Sequence, residues 1–240
     1  MMKKKEFNQN LRTALLAAMC LISFSFVSCS GDDDDKDDST LIADTSSDDI
    51  SDDEETTSSD TTYINGYAAI DLGLSVKWAT CNIGADIPED YGNYYAWGET
   101  ETKDKYTSSN SITYGVGMGD IAGDAEYDAA TANWGSTWRM PTCDEMFELV
   151  DSCTWEWKTQ NDVNGYLVTG SNGNSIFLPA AGYRYGTSLN YAGSDGNYWS
   201  STYGPGNSYR AYCLQFVSSY YDVSYVYRRD YGRTVRPVTD

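Results

Sequence analysis

The chain has 240 residues, a length that allows one or two domains of ordinary size. Its 16 basic and 36 acidic side chains give a formal net charge of −20, which argues against nucleic acid as a partner, because no basic excess is present to displace counterions from phosphates. Histidine is absent, which excludes Ser-His-Asp and Cys-His nucleophiles, histidine zinc sites and imidazole acid–base chemistry.

The amino terminus has the pattern of a secretory signal peptide, predicted over residues 1–28. Four basic residues precede an apolar run from Thr13 to Val27, which is shorter than the roughly 20 residues of a membrane-spanning helix. The run ends in Phe26-Val27-Ser28-Cys29, which resembles a bacterial lipobox, so Cys29 is the predicted lipidation site. The alternative is that Cys29 is only a cysteine near an ordinary cleavage site.

Residues 29–62 are predicted to be the lipidated cysteine and a disordered acidic linker. Residues 31–62 hold 12 Asp and two Glu against one Lys, with too little apolar surface to offset the entropy of ordering. The run Asp32–Asp35 resembles the acidic export signal of Bacteroidota-type lipoproteins. We therefore expect a protein anchored in the outer membrane through the lipid on Cys29 and facing the extracellular side.

Residues 63–240 are predicted to form one folded domain with four cysteines. Four cysteines allow three complete pairings. Cys143 and Cys153 flank a predicted helix of about 15 Å, which is too long for a disulfide between them. If a disulfide forms, we expect it between Cys81 and Cys153. None of the cysteine spacings resembles a zinc site, and no metal or cofactor is predicted.

The first half of this domain is predicted to hold short strands and a first helix. These elements are, in chain order, strands at 68–70, 74–79 and 94–97 and a helix at 128–133 that is closed by Gly135.

A second helix is indicated over residues 144–150. Thr142 is its expected N-cap, because Glu145 follows three residues later as in a capping box. The apolar spacing predicts a buried stripe of Met146, Phe147, Leu149 and Val150.

After this helix the apolar pattern changes to a period of two. Trp155 and Trp157 alternate with polar residues, and strands at 166–168 and 175–178 flank a turn at 170–173, which predicts a hairpin. Two early helices and late antiparallel strands indicate an α+β fold.

The last strands determine which side chains are expected outside. A strand at 211–217 places Tyr212, Leu214 and Phe216 on one face and Cys213 and Gln215 on the other, outward face. An inward Val226 directs Tyr225, Tyr227 and Arg229 outward, and Val235 lies in the closing strand. Tyr212 is predicted to be a core residue, and Trp138 and Trp199 are predicted to be packing residues rather than sugar platforms.

Six motifs occur in an order that resembles a known family. They are Ile70–Ala79 (IDLGLSVKWA), Trp97–Glu99 (WGE), Trp138–Pro141 (WRMP), Leu178–Arg184 (LPAAGYR), Tyr198–Ser201 (YWSS) and Val235–Val238 (VRPV). This succession looks like the Fibrobacter major paralogous domain, also called a DUF1566-like domain, of Bacteroides-type lipoproteins. The family is similar to formylglycine-generating enzymes and to the variable proteins of diversity-generating retroelements. The resemblance implies a C-type-lectin-like fold whose two terminal strands lie close together.

The last sixty residues have the composition of a binding surface. Residues 181–240 hold 12 of the 21 tyrosines and carry six Arg against four acidic residues. Tyr supplies contact area at low entropic cost, and Ser, Gly and Asn supply adaptable hydrogen bonds, as in antibody paratopes. Retroelement-diversified proteins show this usage, and Cys213 fits it. The candidate ligand-binding residues are Tyr185, Asn190, Tyr191, Asp195, Asn197, Tyr203, Tyr209, Cys213, Gln215, Tyr221, Tyr225, Tyr227, Arg229 and Asp230.

Three functions are open on these grounds, and the first is favoured. It is a surface protein that binds an unknown protein or glycan through the carboxy-terminal face. The second is a catalyst of the formylglycine-generating type, for which the resemblance requires two reactive cysteines, and Cys213 has no evident partner. Nor does the spacing of Glu99, Asp144 and Asp195 nominate a glycosidase pair. The third is a structural or adhesive component without a discrete ligand.

Overall fold

The computed structural model describes residues 61–240, apart from the side chains of Tyr225 and Val226. The predicted signal peptide, Cys29 and nearly all of the predicted linker lie outside these residues. The linker prediction is wrong at its end, because Thr61 and Thr62 already belong to the first strand. Within the described range, no helix combines the length and apolarity needed to cross a membrane.

The described residues form an α+β domain in which strands predominate. In chain order the elements are β1 (Thr61–Ile64), β2 (Tyr67–Ile70), β3 (Lys77–Ala79), α1 (Ala129–Trp134), α2 (Cys143–Ser152), β4 (Thr154–Gln160), β5 (Val163–Thr169), β6 (Ser175–Pro179), β7 (Tyr183–Tyr185), β8 (Ser188–Asn190), β9 (Gly196–Tyr203), β10 (Arg210–Val217), β11 (Tyr220–Arg228) and β12 (Val238–Thr239). The strand pairs within the sheets are all antiparallel, so the predicted class is confirmed.

The two ends of the described chain meet in one sheet of order β1-β2-β3-β12. Val238 pairs with Trp78 in this sheet, which agrees with the expected proximity of the terminal strands. The closing strand starts three residues later than expected, because Pro237 has no N–H group for a ladder. Val235 lies before it, fully buried, and its carbonyl accepts from Ile83 N–H in a loop.

Both predicted helices are present. Asp128 caps α1 by accepting from the N–H groups of Ala130 and Thr131, one residue before the helix begins. In α2 the capping box between Thr142 and Glu145 is confirmed. Phe147 is an error in the predicted buried stripe, because it is 37% exposed.

The hairpin after α2 is confirmed, whereas one early strand is not. In the turn between β5 and β6, Gly170 N–H donates to Asn174 O at 2.9 Å. The predicted strand at 94–97 is wrong. Tyr95 forms only an isolated bridge with Arg233, and Trp97 N–H donates to Arg229 O, so this segment pairs with the irregular chain that follows β11.

The sheet of order β11-β10-β9 lies between two apolar clusters. Leu214 and Phe216 pack on one side with Met146 and Leu149 of α2, and Tyr212 packs there as predicted. Trp199, Trp138 and Cys213 are fully buried in the other cluster. The packing roles of the two tryptophans are confirmed. The outward position of Cys213 is wrong, because this face of the sheet is also covered.

No disulfide joins any two of the four cysteines that the structure describes. The predicted Cys81–Cys153 disulfide is therefore wrong.

Candidate ligand-binding face

Tyrosine rings and one arginine form a continuous row on the carboxy-terminal side of the domain. We call this row the Tyr–Arg ridge. It consists of Tyr209, Tyr114, Arg228, Tyr231, Tyr185, Tyr183 and Tyr191. Its members come from the loop between β9 and β10, the long loop before α1, the end of β11, the chain behind it and the β7–β8 hairpin.

One half of the ridge is centred on Arg228. The Tyr209 and Tyr114 rings lie 4.9 Å apart, and the Arg228 guanidinium lies 5.0 Å from the Tyr114 ring and 5.7 Å from the Tyr231 ring. Gly115 allows the first contact, because a Cβ atom there would approach the Tyr209 ring to 3.1 Å. Its φ of +86° also favours glycine. Cation–π contacts of this kind hold the arginine in place over the rings.

The other half of the ridge is built around the β7–β8 hairpin and the residue that directly follows it. Tyr231 lies 4.8 Å from Tyr185 and stacks on Tyr183 at 5.5 Å, and Tyr183 lies 5.9 Å from Tyr191. Paired backbone hydrogen bonds of 2.7 and 2.9 Å between Arg184 and Gly232 tie the hairpin to the chain that carries Tyr231. The ring positions therefore depend on backbone pairing.

Asp230 holds the Arg228 guanidinium in position through two hydrogen bonds. The Arg228 Nε and Nη2 atoms donate to the two Asp230 carboxylate oxygens at 2.9 and 2.8 Å, and these bonds raise the pKa of Arg228 above its ordinary value. Asp230 is fully buried and both of its carboxylate oxygens are occupied by Arg228, so its prediction as a ligand-contacting residue is wrong. A carboxylate with two charge-assisted hydrogen bonds to an arginine is a positioning group.

A second layer lies beside the ridge, and we call it the Arg233 cluster: Arg233, Asn197, Trp199 and Tyr227. The Arg233 guanidinium lies 4.1 Å from the Tyr227 ring, 4.9 Å from the Trp199 ring and 5.5 Å from the ridge residue Tyr183. Its Nη1 atom donates to the Asn197 side-chain oxygen. Arg233 is 0% exposed and Asn197 is 1% exposed.

The hydrogen bonding of this cluster is incomplete. Arg233 Nε, Arg233 Nη2 and Asn197 Nδ2 are buried and have no hydrogen-bond partner among the residues that the structure describes. The half-buried Tyr227 ring lies 4.1 Å from the guanidinium, and its hydroxyl donates to the Gln215 side-chain oxygen. Burial raises the pKa of Tyr227, Cys213 and Asp195 add to this rise, and Arg233 opposes it.

Two other buried arginines are well supplied with acceptors. Arg229 stacks on Trp97 at 4.1 Å and donates to three backbone carbonyls, and burial lowers its pKa to about 10. Arg236 donates to the Asn82 side chain and to three carbonyls. The prediction that Arg229 points outward to a ligand is wrong, because its guanidinium is buried between the sheet and the loop that holds Val116.

Several of the predicted residues do lie together. Tyr185, Tyr191 and Tyr209 belong to the ridge, and Asn197, Tyr227 and Gln215 belong to the second layer or contact it. Asn190 pairs with Tyr183 in the hairpin, and Asp195 is half-buried behind it, accepting from Ser194 Oγ at 2.9 Å.

The remaining predicted residues do not join this face. Tyr221 lies on the opposite side of the sheet, stacked on Trp155 at 4.6 Å, which makes its assignment wrong. Tyr203 is half-buried against the second apolar cluster rather than exposed. The side chain of Tyr225 lies outside the described residues. Cys213 is buried, and this burial raises its pKa to about 11, which leaves a protonated thiol.

Six residues of this face were not among the candidates. They are Tyr114, Tyr183, Arg228, Tyr231 and Arg233, together with Trp199, which was predicted to be a packing residue. The abundance of Tyr and Arg near the carboxy terminus could have indicated four of them, but Tyr114 lies in a polar loop distant in sequence.

Among the described residues, neither a metal-binding cluster nor either of two cavities in the domain belongs to this face. No group of three or more Cys, Asp or Glu side chains that could hold a metal occurs in the part of the chain that is described. Cavities of about 340 and 240 Å³ lie elsewhere, beside Arg139 and Asp240 and beside Tyr67 and Trp134.

The comparisons with known proteins assign a family but no activity. A family model for a domain of unknown function, DUF8237, matches residues 100–238, which is more than half of the chain and includes the whole ridge and Arg233. No curated protein and no solved structure matches the chain. The chain belongs to the DUF8237 family, whose function is unknown.

Proposed function

We propose that this protein binds a protein ligand through the Tyr–Arg ridge. The observation that carries the proposal is the unbroken row of ring and guanidinium contacts, in which Tyr185, Tyr191 and Tyr209 remain 49%, 62% and 51% exposed. A contiguous exposed apolar patch of this kind marks an interaction site. Tyr and Arg are also the residues enriched among those that contribute most to protein–protein affinity.

The rigidity of the ridge supports binding. Each ring contacts another ring or the Arg228 guanidinium, and the hairpin is tied to the chain at Gly232 by backbone hydrogen bonds. Side chains that are ordered before binding lose little entropy on association. The ring faces of Tyr183 and Tyr231 are stacked on each other, which favours a protein ligand over a sugar that needs an open ring face.

Catalysis of the formylglycine-generating type is the alternative that the geometry disfavours. Cys213 is buried among Trp199, Tyr227 and Arg233, and its raised pKa keeps the thiol protonated. A reactive thiol needs exposure and a lowered pKa.

The proposed setting is the outer face of an outer membrane, with the chain anchored through a lipid on Cys29. The proposed fold is C-type-lectin-like and of the Fibrobacter major paralogous type, with a carboxy-terminal region diversified by a retroelement. The lipobox-like sequence supports the anchor, the six ordered motifs and the shared sheet of β3 and β12 support the fold, and the Tyr-rich composition supports diversification.

Binding is tested with the full chain carrying Cys29→Ala, applied to protein and glycan arrays. We expect captured proteins to be lost in the double variant Tyr185→Ala/Tyr191→Ala. Tyr63→Ala is the matched control, because Tyr63 lies in β1 and is 73% exposed.

Equal signals from the ridge variant and the wild type contradict the proposed surface. Capture of glycans alone, lost in the ridge variant, contradicts the protein ligand and assigns the ridge to carbohydrate.

A further inference from the structure

We propose that the Arg233 cluster receives a carboxylate, presented by an Asp or Glu side chain of the partner protein, and that Tyr227 is the gate to it. The inference rests on the proposed function for the partner, but the carboxylate site can be measured without one.

The argument starts from a surplus of donors at one place. Arg233 Nε, Arg233 Nη2 and Asn197 Nδ2 are all buried and unpartnered, and the two side chains are joined by a hydrogen bond. Three unmatched donors around a positive charge form a site for an anion. Buried polar groups are normally paired, because a donor without an acceptor loses the hydrogen bonds it makes in water.

The other buried arginines show that this surplus is specific to Arg233. The fold places three backbone carbonyls around Arg229, and three carbonyls with the Asn82 side chain around Arg236. Backbone acceptors are thus available for buried guanidinium groups in this domain. The Arg233 guanidinium instead lies 4.9 Å from the Trp199 ring and 4.1 Å from the Tyr227 ring, and its Nε and Nη2 atoms have no acceptor among the described residues.

The geometry of the free edge identifies the ligand. The unpartnered Nε and Nη2 atoms form the same guanidinium edge that Arg228 uses to hold both oxygens of Asp230. A planar group with two oxygens matches this edge, and the paired, charge-assisted bonds are shorter and stronger than neutral ones. A carboxylate therefore fits the Nε–Nη2 edge of Arg233, while Nη1 stays bonded to the Asn197 side-chain oxygen.

Tyr227 controls access to that edge. It lies over the guanidinium, is only half-buried, and is held by one hydrogen bond to Gln215. Its strand, β11, is at the edge of the sheet, and the register shifts between Ala211 and Cys213, directly opposite the Tyr227 region. Bulges at edge strands change the direction of side chains. Rotation of Tyr227 opens Arg233 beside Tyr183 of the ridge.

Acetate is the probe for this site, added to the full chain carrying Cys29→Ala. Tryptophan fluorescence reports occupancy through Trp199, one of the seven tryptophans of the chain, because its ring lies 4.9 Å from the Arg233 guanidinium. Sodium chloride at equal ionic strength is the control for salt. We expect saturable acetate binding that weakens by about tenfold or more in Arg233→Met. Lys105→Met, which removes an exposed cation outside the ridge, should bind acetate as the wild type does. Tyr227→Phe loses the bond to Gln215 and should bind acetate several-fold more tightly.

A second variant protects the test against misfolding. Asn197→Asp places a carboxylate against Nη1 of Arg233 and neutralises the guanidinium charge, so it should abolish the acetate response while far-UV circular dichroism stays unchanged. A response that is identical in Arg233→Met or in Asn197→Asp, or that chloride reproduces, overturns the inference. If acetate fails to bind while the ridge variant still loses its partner, the proposed function stands and the carboxylate site falls. If acetate binds but no partner protein is found, the carboxylate site stands and the proposed function falls.

Discussion

The two faces of the β9–β10–β11 sheet are both buried, but they differ in how completely their buried polar groups are paired by hydrogen bonds. On the face towards α2, Leu214 and Phe216 are packed in apolar surroundings, and the buried Tyr198 hydroxyl donates to Pro179 O at 2.6 Å. On the other face, Asn197 and Arg233 are buried with unpartnered donors. In the first cluster Trp78 Nε1 is buried without a partner, but among the described residues no charged group is left unpaired there. The second face retains unpartnered polar and charged groups that cost stability, as the proposed carboxylate site requires.

The largest expected effect is a loss of stability caused by a substitution in the apolar face. Phe216 is fully buried and lies 5.3 Å from Tyr166 and 5.8 Å from Tyr198. Phe216→Ala should lower the free energy of unfolding by about 4 kcal/mol, measured by urea denaturation. Phe147→Ala, at an exposed site on α2, is the control and should cost less than about 1 kcal/mol. Similar losses in the two variants contradict the assignment of this face as the core.

The next prediction compares how much two buried arginines, Arg236 and Arg233, contribute to stability. Arg236→Met leaves the Asn82 side chain and three carbonyls without their donor, so unfolding should become easier by about 3 kcal/mol. Arg233→Met removes an unpartnered charge and keeps an apolar stem, so the change should stay within about 1 kcal/mol. Guanidinium denaturation of both variants gives the comparison. An equal loss in Arg233→Met means that Arg233 is a structural residue like Arg236.

A smaller, pH-dependent effect concerns α2, which covers the apolar face. Burial raises the pKa of Glu145, but its hydrogen bonds with Arg139 and Thr142 outweigh this, and the net pKa is lowered. Such a group stabilises the fold above its unfolded pKa and loses this contribution as pH falls through its folded pKa. Glu145→Gln should therefore cost about 1 kcal/mol at pH 7. The difference from wild type should shrink as denaturation is repeated towards pH 3, and a constant difference contradicts the assignment.

The last prediction is that Cys213, on the second face, does not react with an alkylating reagent in the native chain. The pKa of Cys213 is raised to about 11 by burial, so only about one thiol in a thousand is ionised at pH 8. Iodoacetamide should label the partly exposed Cys81 and leave Cys213 unmodified in the native chain, as read by mass spectrometry. Both should react after denaturation. Rapid native labelling of Cys213 revives the catalytic alternative.

Short-range patterns were sufficient for the elements that depend on neighbours in sequence. The capping box of Thr142 and Glu145 and the turn at 170–173 form as predicted. The alternation in β10 also placed Leu214 and Cys213 on opposite faces. These features depend on hydrogen bonds and periods that extend over only a few residues.

What covers each face was decided by packing between distant segments. Cys213 and Arg229 were expected at the surface, but the loop that holds Thr113 and Val116 and the chain carrying Arg233 lie over them. The ridge likewise needs Tyr114, which no local pattern connects to Tyr209. Alternation along a strand determines which residues share a face. Burial of that face depends on which other segments pack there, and only the tertiary structure contains that information.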